Sequence, residues 1–310
     1  KRSQGKTKLS GLLHSAERLP DDSTAAGTLA LSTTASAGVT HRLSWAPGKW
    51  GGEKLDFWDD FSADGRLDAR QVREGDTQVG SLAVRFRLQP RASRAVTFVL
   101  AWHFPNRVTW TPAHATGGDY RTSCDHGRVH ADDNIGNYYC HQYRNAWDAA
   151  LAAAKDLKRL EADTVRFVHA FCTADLPHEV KEAALYNLST LRTQTCFRTP
   201  DGLFFGFEGC GDCGGCCYGS CTHVWNYEPA TAHVYGQLAR TMREVEFAHA
   251  TRDDGLMPFR VNLPLSRAQQ MPTAAADGQM GCLIKLYREW KLSGDDDLLR
   301  RLWPAARKAL

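Results

Sequence analysis

Apolar and polar positions change their period once along this chain, near residue 145. Before it, Leu82, Val84, Phe86 and Leu88 alternate with small or charged residues, a turn follows over Pro90 to Ser93, and Val96, Phe98, Leu100, Trp102 and Phe104 alternate again. A period of two with one apolar face predicts a β-hairpin. Gly, Pro and Asp clusters (Pro47 to Gly52, Asp59 to Gly65, Thr116 to Asp119) separate short apolar runs such as Leu29 to Leu31, the punctuation expected of an antiparallel sandwich with no helix of useful length. After residue 145, Trp147, Ala150, Leu151, Ala154, Leu157 and Leu160 recur three and four apart in a stretch free of Gly and Pro, which predicts one long helix to about Phe171.

Further helices follow. Asp175 and Pro177 suit the start of a helix whose buried stripe is Val180, Ala184, Leu188 and Leu191. Another is expected over 227–250, a third from Asp277 to Ser293 closing on Gly294, and a fourth from Asp295 to Leu310 with acidic residues in its first turn. The predicted organisation is a β-sandwich over 1–144, a linking helix over 145–174 and an all-helical region over 175–310. The absence of a starting Met and the end at Leu310 inside a helical pattern lead us to expect a piece of a longer chain.

Composition narrows the function. The 310 residues are 43% hydrophobic and 24% charged, with a net charge of +3, so an ordinary folded protein is expected. Basic and acidic residues are interspersed, which leaves no stripe to neutralise a phosphate backbone and argues against nucleic acid as a partner. No run of about 18 apolar residues spans a bilayer, and no transmembrane segment is expected. The sequence assigns no compartment.

Chemistry concentrates in Leu203-Phe-Phe-Gly-Phe-Glu208-Gly-Cys210 and in Ser220-Cys-Thr-His-Val-Trp-Asn-Tyr-Glu228, read as a loop between helices. Sugars are bound by aromatic faces, which meet the C–H side of the ring, and by carboxylates and amides, which meet vicinal hydroxyls. His223, Trp225, Asn226 and Glu228 supply such groups, with a carbohydrate as the expected ligand. Glu208 behind Phe204, Phe205 and Phe207 is expected to be desolvated, and a carboxylate buried without a partner is costly, so a functional role is assigned to it.

The order Asp175-Leu-Pro, Ala184-Leu-Tyr-Asn187, Phe207-Glu208-Gly209, Trp225-Asn226-Tyr227-Glu228, Asp277 and Leu286-Tyr-Arg-Glu-Trp through Leu302-Trp-Pro304 resembles glycoside hydrolase family 116, which includes the non-lysosomal glucosylceramidases. The resemblance implies a β-sandwich followed by an (α/α)6 barrel and a retaining β-glycosidase with Glu208 as nucleophile. It further implies sugar binding by Asn226 and Glu228, a matching acid at Asp277, and an acid/base carboxylate lying beyond Leu310, so that residues 1–310 alone are expected to be inactive. This chain departs from the family's pattern where a Cys-rich stretch separates Glu208 from Glu228, where Glu228 stands for an Asp, and where Pro258-Phe259-Arg260 stands for a Pro followed by a sugar-binding His.

The cysteines leave alternatives open. Cys210, Cys213, Cys216, Cys217 and Cys221, with His223 adjacent, have spacing compatible with tetrahedral zinc, with a local disulfide, or with plain thiols. Glu208, Cys210, Cys216 and Cys217 are also similar to the zinc site of β-L-arabinofuranosidases, which implies a cysteine nucleophile with Glu208 as a metal ligand. A non-catalytic carbohydrate-binding module is the third reading.

Overall fold

The computed structural model describes residues 2–4, 7–45, 50–70, 79–109, 133–193, 195–209, 219–228 and 230–310. The chain divides into two compact units: Lys1–Arg18, Gly27–His103 and Tyr143–Phe167 form the first, and Leu19–Ala26, Phe104–Gln142 and Val168–Leu310 the second.

The first unit carries strands β1 (Arg2–Gln4), β2 (Thr7–Ser15), β3 (Thr28–Thr33), β4 (Val39–Arg42), β5 (Ser81–Val84) and β6 (Phe98–His103), and helix α1 (Gly52–Asp64). An antiparallel four-stranded sheet runs β1-β2-β3-β6, and β4 pairs separately with β5. The expected hairpin is therefore replaced: β5 pairs with β4 through Val39↔Val84, and β6 pairs with β3 through Leu31↔Leu100. Alternation identifies a strand but carries no information on its partner.

Helix α1 is a second correction, since Asp59 to Gly65 reads as turn chemistry in sequence. Its aspartates at positions i and i+4 instead hold one buried cation. Arg42, fully buried, donates to Asp56 at 2.9 Å and to Asp60 at 2.5 Å. Trp45 stacks on Phe57 with centroids 4.8 Å apart, and Gly65 ends the helix in the left-handed conformation.

After the short α2 (Tyr139–Gln142) comes α3 (Ala146–Cys172), the long helix that the period predicts. Its first two turns bury Ala146, Trp147, Ala150 and Leu151 against Leu9, Ala30, Val99 and Ala101 of the sheet.

The second unit is mainly helical: α4 (His178–Ser189), α5 (Ala230–Val234), α6 (Gly236–Glu244), α7 (Ala276–Ser293) and α8 (Asp296–Ala309). The stripe expected on α4 is not uniformly buried, because Val180 is exposed. The single helix expected over 227–250 is three pieces, α5, α6 and a π turn over Val245–Ala250, preceded by a 3-10 turn over Val224–Tyr227. Helices α7 and α8 match their expected limits. Gly294 caps α7 in the left-handed conformation, and the Asp295 carboxylate caps α8 by accepting from the Leu298 amide at 2.9 Å.

Among the described residues, three of this unit's four short strands lie between α4 and α5, and the fourth follows the π turn. Strands β7 (Cys196–Arg198) and β8 (Phe204–Gly206) form a hairpin, and β9 (Ser220–Cys221) pairs with β10 (Arg260–Val261). The segment leading to Glu208 is thus a strand rather than a loop.

Candidate functional site

Strand β8 delivers Glu208. Phe205 stacks on Phe197 at 5.6 Å, Phe207 meets Phe197 edge-on at 5.1 Å, and the Phe207 amide donates to the Thr195 carbonyl at 2.9 Å, extending the ladder by one step. Phe204 points into a different cluster, edge-on to Trp225 at 5.9 Å. All three phenylalanines are therefore consumed by core packing. The carboxylate beyond them emerges: the Glu208 side chain is 34% exposed. The expected desolvation is absent, because the run of phenylalanines ends one residue before Glu208.

What the site supplies instead is a cation. Arg260 Nη2 donates to Glu208 Oε2, and Arg260 itself is only 13% exposed. Three short strands bring the two together across 52 residues. Ser220 Oγ bonds both the amide and the carbonyl of Gly206 at 3.2 Å, tying β9 to β8, and Cys221 pairs with Arg260, tying β10 to β9.

Trp225 is a core residue, 5% exposed. Its indole Nε1 donates to the Phe207 carbonyl at 3.1 Å and its ring lies over Gly206, where a Cβ would come within 1.8 Å of Cε2. No side chain larger than hydrogen fits there. The observed contribution of Trp225 is to fix the backbone immediately before Glu208.

His223, Asn226 and Asp277 form a second constellation. His223 Nδ1 lies 2.5 Å from Asp277 Oδ2, which leaves Nε2 as the ring nitrogen not engaged by that carboxylate. Asn226 Nδ2 donates to the Asp277 carbonyl at 2.8 Å, while its buried Oδ1 has no hydrogen-bond partner among the described residues. Gly278 and Gly281 allow this approach: a Cβ at Gly281 would stand 2.2 Å from Asn226 Nδ2, and one at Gly278 2.7 Å from Thr222 Oγ1. Glu228 is engaged locally, accepting from the Thr231 amide at 3.1 Å and the Thr231 hydroxyl at 2.6 Å at the start of α5.

The structure therefore joins His223, Asn226 and Asp277 directly and connects Glu208 to Trp225 through Phe207. Sequence reading missed the pairing partner, Arg260. Its signal was the position after Pro258-Phe259, where the resembled family carries a His.

Cys210, Cys213, Cys216 and Cys217 lie outside the described residues. Among the described residues no three His, Cys, Asp or Glu side chains group as metal ligands, and Cys221 is a buried free thiol.

A family model described as beta-glucosidase 2, glycosyl-hydrolase family 116 N-term, matches residues 1–160, more than half of the chain. The chain belongs to glycoside hydrolase family 116. Family 116 membership makes it a glycoside hydrolase family member with β-sheets in its N-terminal part and helices in its C-terminal part, as the residue pattern predicts. The matched span ends before β7, so the Glu208 site lies outside it. No curated protein matches the chain. No helix of the described residues is long and apolar enough to cross a membrane.

Proposed function

We propose that this family 116 chain is part of a retaining hydrolase of β-glycosides, with Glu208 as its nucleophile. A retaining mechanism needs one carboxyl that is ionised and free to attack the anomeric carbon, and a second, protonated one about 5–5.5 Å away. The observation that carries the first role is the Glu208–Arg260 ion pair: the carboxylate stands outside the phenylalanine core, with the partly buried Arg260 guanidinium bonded to one of its oxygens. The second carboxyl is proposed from chain beyond Leu310, in the family's order. Residues 1–310 alone are then expected to turn over negligibly, since general acid assistance is worth about 10²- to 10⁴-fold.

The helices from α4 onward are proposed as the opening of an (α/α)6 barrel, with the catalytic region beginning near 175. His223, with its Asp277 partner, and Asn226 are proposed to meet sugar hydroxyls, together with Glu228. Trp225 supports the site from within the core.

The zinc alternative requires Glu208 as a metal ligand. A guanidinium already at that carboxylate opposes a second cation there, which favours the carboxylate nucleophile. Hydrolysis of aryl β-glycosides by the full-length protein and its Glu208→Gln variant tests the proposal. Loss of turnover with substrate binding retained is expected, and full activity in the variant rejects it.

A further inference from the structure

Arg260 is held more firmly than a charge needs to be if it only solubilises a surface. Its strand neighbour Val261 is fully buried, as is Met257, and Leu263 is 1% exposed, so β10 is anchored on both sides of the arginine. The Phe259 amide donates to the Thr273 carbonyl at 3.0 Å, and the Phe259 carbonyl accepts from the Thr222 amide and hydroxyl, both at 3.0 Å. The guanidinium carbon lies 5.1 Å from the Phe259 ring centroid, within cation–π range. Backbone, ring and strand pairing thus deliver the guanidinium to one place, and that place is Glu208 Oε2.

The carboxylate is the less buried partner, at 34% against 13% for the arginine. A glutamate side chain at that exposure would otherwise distribute over several rotamers, since three freely turning bonds separate its carboxyl from the backbone. The backbone carrying it is already fixed by Trp225 Nε1 on the Phe207 carbonyl and by Ser220 Oγ on Gly206. The Arg260 bond to Oε2 acts on what the backbone leaves open, the orientation of the side chain itself.

We propose that Arg260 is the positioning residue for Glu208: by binding Oε2 from a rigid strand it selects the one rotamer from which the carboxylate can reach an anomeric carbon. This rests on Glu208 being the nucleophile, and it adds a residue that acts through Glu208 without touching the sugar. The chemistry is a displacement in which a Glu208 oxygen forms a bond to the anomeric carbon as the bond to the leaving group breaks, the leaving oxygen taking the electron pair. Arg260 neither gives nor takes a proton.

The test uses 2,4-dinitrophenyl 2-deoxy-2-fluoro-β-glucoside, whose leaving group departs without acid assistance, so labelling reports the nucleophile alone. In the full-length protein the label is expected on Glu208. Arg260→Met is expected to slow labelling by about 10²-fold, the scale of a misplacement near 1 Å, with the reagent's Kd and the melting temperature little changed. Arg260→Lys is expected to recover part of the rate, and added ethylguanidinium to restore much of it in Arg260→Met but not in the parent. Labelling of Glu208 at an unchanged rate in Arg260→Met overturns the positioning role and leaves the nucleophile standing. Rate loss that follows loss of the folded state, with no recovery by lysine or ethylguanidinium, also overturns it. Label on another residue, or none, overturns the nucleophile and this inference together.

Discussion

Helices α3 and α7 each lay one face against a core, and they do so with opposite materials. On α3 the buried residues are Ala146, Trp147, Ala150 and Leu151, packed on the apolar face of β2, β3 and β6. On α7 the stripe Gly278, Cys282, Lys285, Leu286 and Glu289 has the same helical period, but two of its members are charged. Those charges meet Arg243 of α6 and Glu246 of the π turn. Arg243 donates to Glu246 at 2.6 Å and to Glu289 at 3.3 Å, Arg288 reaches Glu289 at 2.9 Å, and Lys285 Nζ stands 3.9 Å from Glu246. A face packed by volume tolerates small rearrangements. One packed by charge depends on every partner being present, because each buried ion left alone keeps its desolvation cost.

The sharpest way to break this contrast is to remove one member from each side. Glu246→Leu removes the carboxylate facing Lys285 and leaves Arg243 with Glu289 alone, and a loss of about 3–5 kcal/mol in the stability of the helical unit is expected. Leu151→Ala, which only opens space under α3, is expected to cost about 3 kcal/mol. Urea unfolding read by hydrogen exchange on α7 and on α3 separates the two. A Glu246→Leu loss below 1 kcal/mol would mean that the network contributes nothing beyond its volume.

The network also perturbs its members' protonation. Burial pushes the Glu289 carboxyl up, against the opposing pull of Arg243, and burial together with Arg243 pushes the Lys285 ammonium down. Burial raises the Cys282 thiol too, with Glu246 beside it. Among the described residues, Lys285 Nζ and the second oxygens of Glu246 and Glu289 are buried without a hydrogen-bond partner, which marks the network as incompletely satisfied there.

This difference explains what could be read in advance. The apolar period of α3 names its buried face directly. On α7 hydrophobicity misleads: Ile284 and Tyr287 are exposed at 69% and 60%, while Lys285 and Glu289 are buried. No single-sequence pattern distinguishes a lysine facing water from one facing a glutamate on another helix. The break of 224–250 into four pieces was equally hidden, since a π turn is set by packing and leaves no period of its own. At the site, the order of motifs nominated Glu208, Asn226 and Asp277 and side-chain chemistry nominated His223, but the Arg260 that meets Glu208 lay 52 residues away, across the Ser220 hydroxyl bonds and one two-residue ladder. Such pairings arise from tertiary structure alone.

A smaller effect sharpens the comparison inside the helical unit. Beside Trp225 that unit relies on volume, as α3 does: Gly206→Ala would place its Cβ 1.8 Å from the indole. Overpacking of this kind costs about 1–3 kcal/mol. Because the same indole holds the Phe207 carbonyl, the proposed function leads us to expect that Gly206→Ala lowers the full-length protein's turnover of aryl β-glycosides by more than its stability loss explains, and kcat measured well below the variant's melting temperature checks this. Turnover equal to that of the parent would detach Trp225 from the support of Glu208.

The smallest expected effect lies in the sheet-bearing unit, which has a buried cation of its own in Arg42. Arg42 is fully buried but pairs with aspartates of α1 that retain contact with water, Asp56 at 31% and Asp60 at 12% exposure. Burial raises the Asp60 carboxyl, but the Asp68 amide and the Arg42 guanidinium outweigh it, and its pKa is lowered overall. A folded-state pKa below the unfolded one contributes stability that is in place above about pH 4, the ordinary aspartate value, and is lost as pH falls through the folded value. Unfolding of the parent protein followed from pH 6 to pH 3 is therefore expected to show an acid-dependent loss in this unit that Asp60→Asn flattens, while a Leu151→Ala variant keeps the parent's pH dependence. Parallel acid profiles for parent and Asp60→Asn would show that Asp56 alone compensates Arg42, and that the α1 aspartates are redundant where the α7 charges are not.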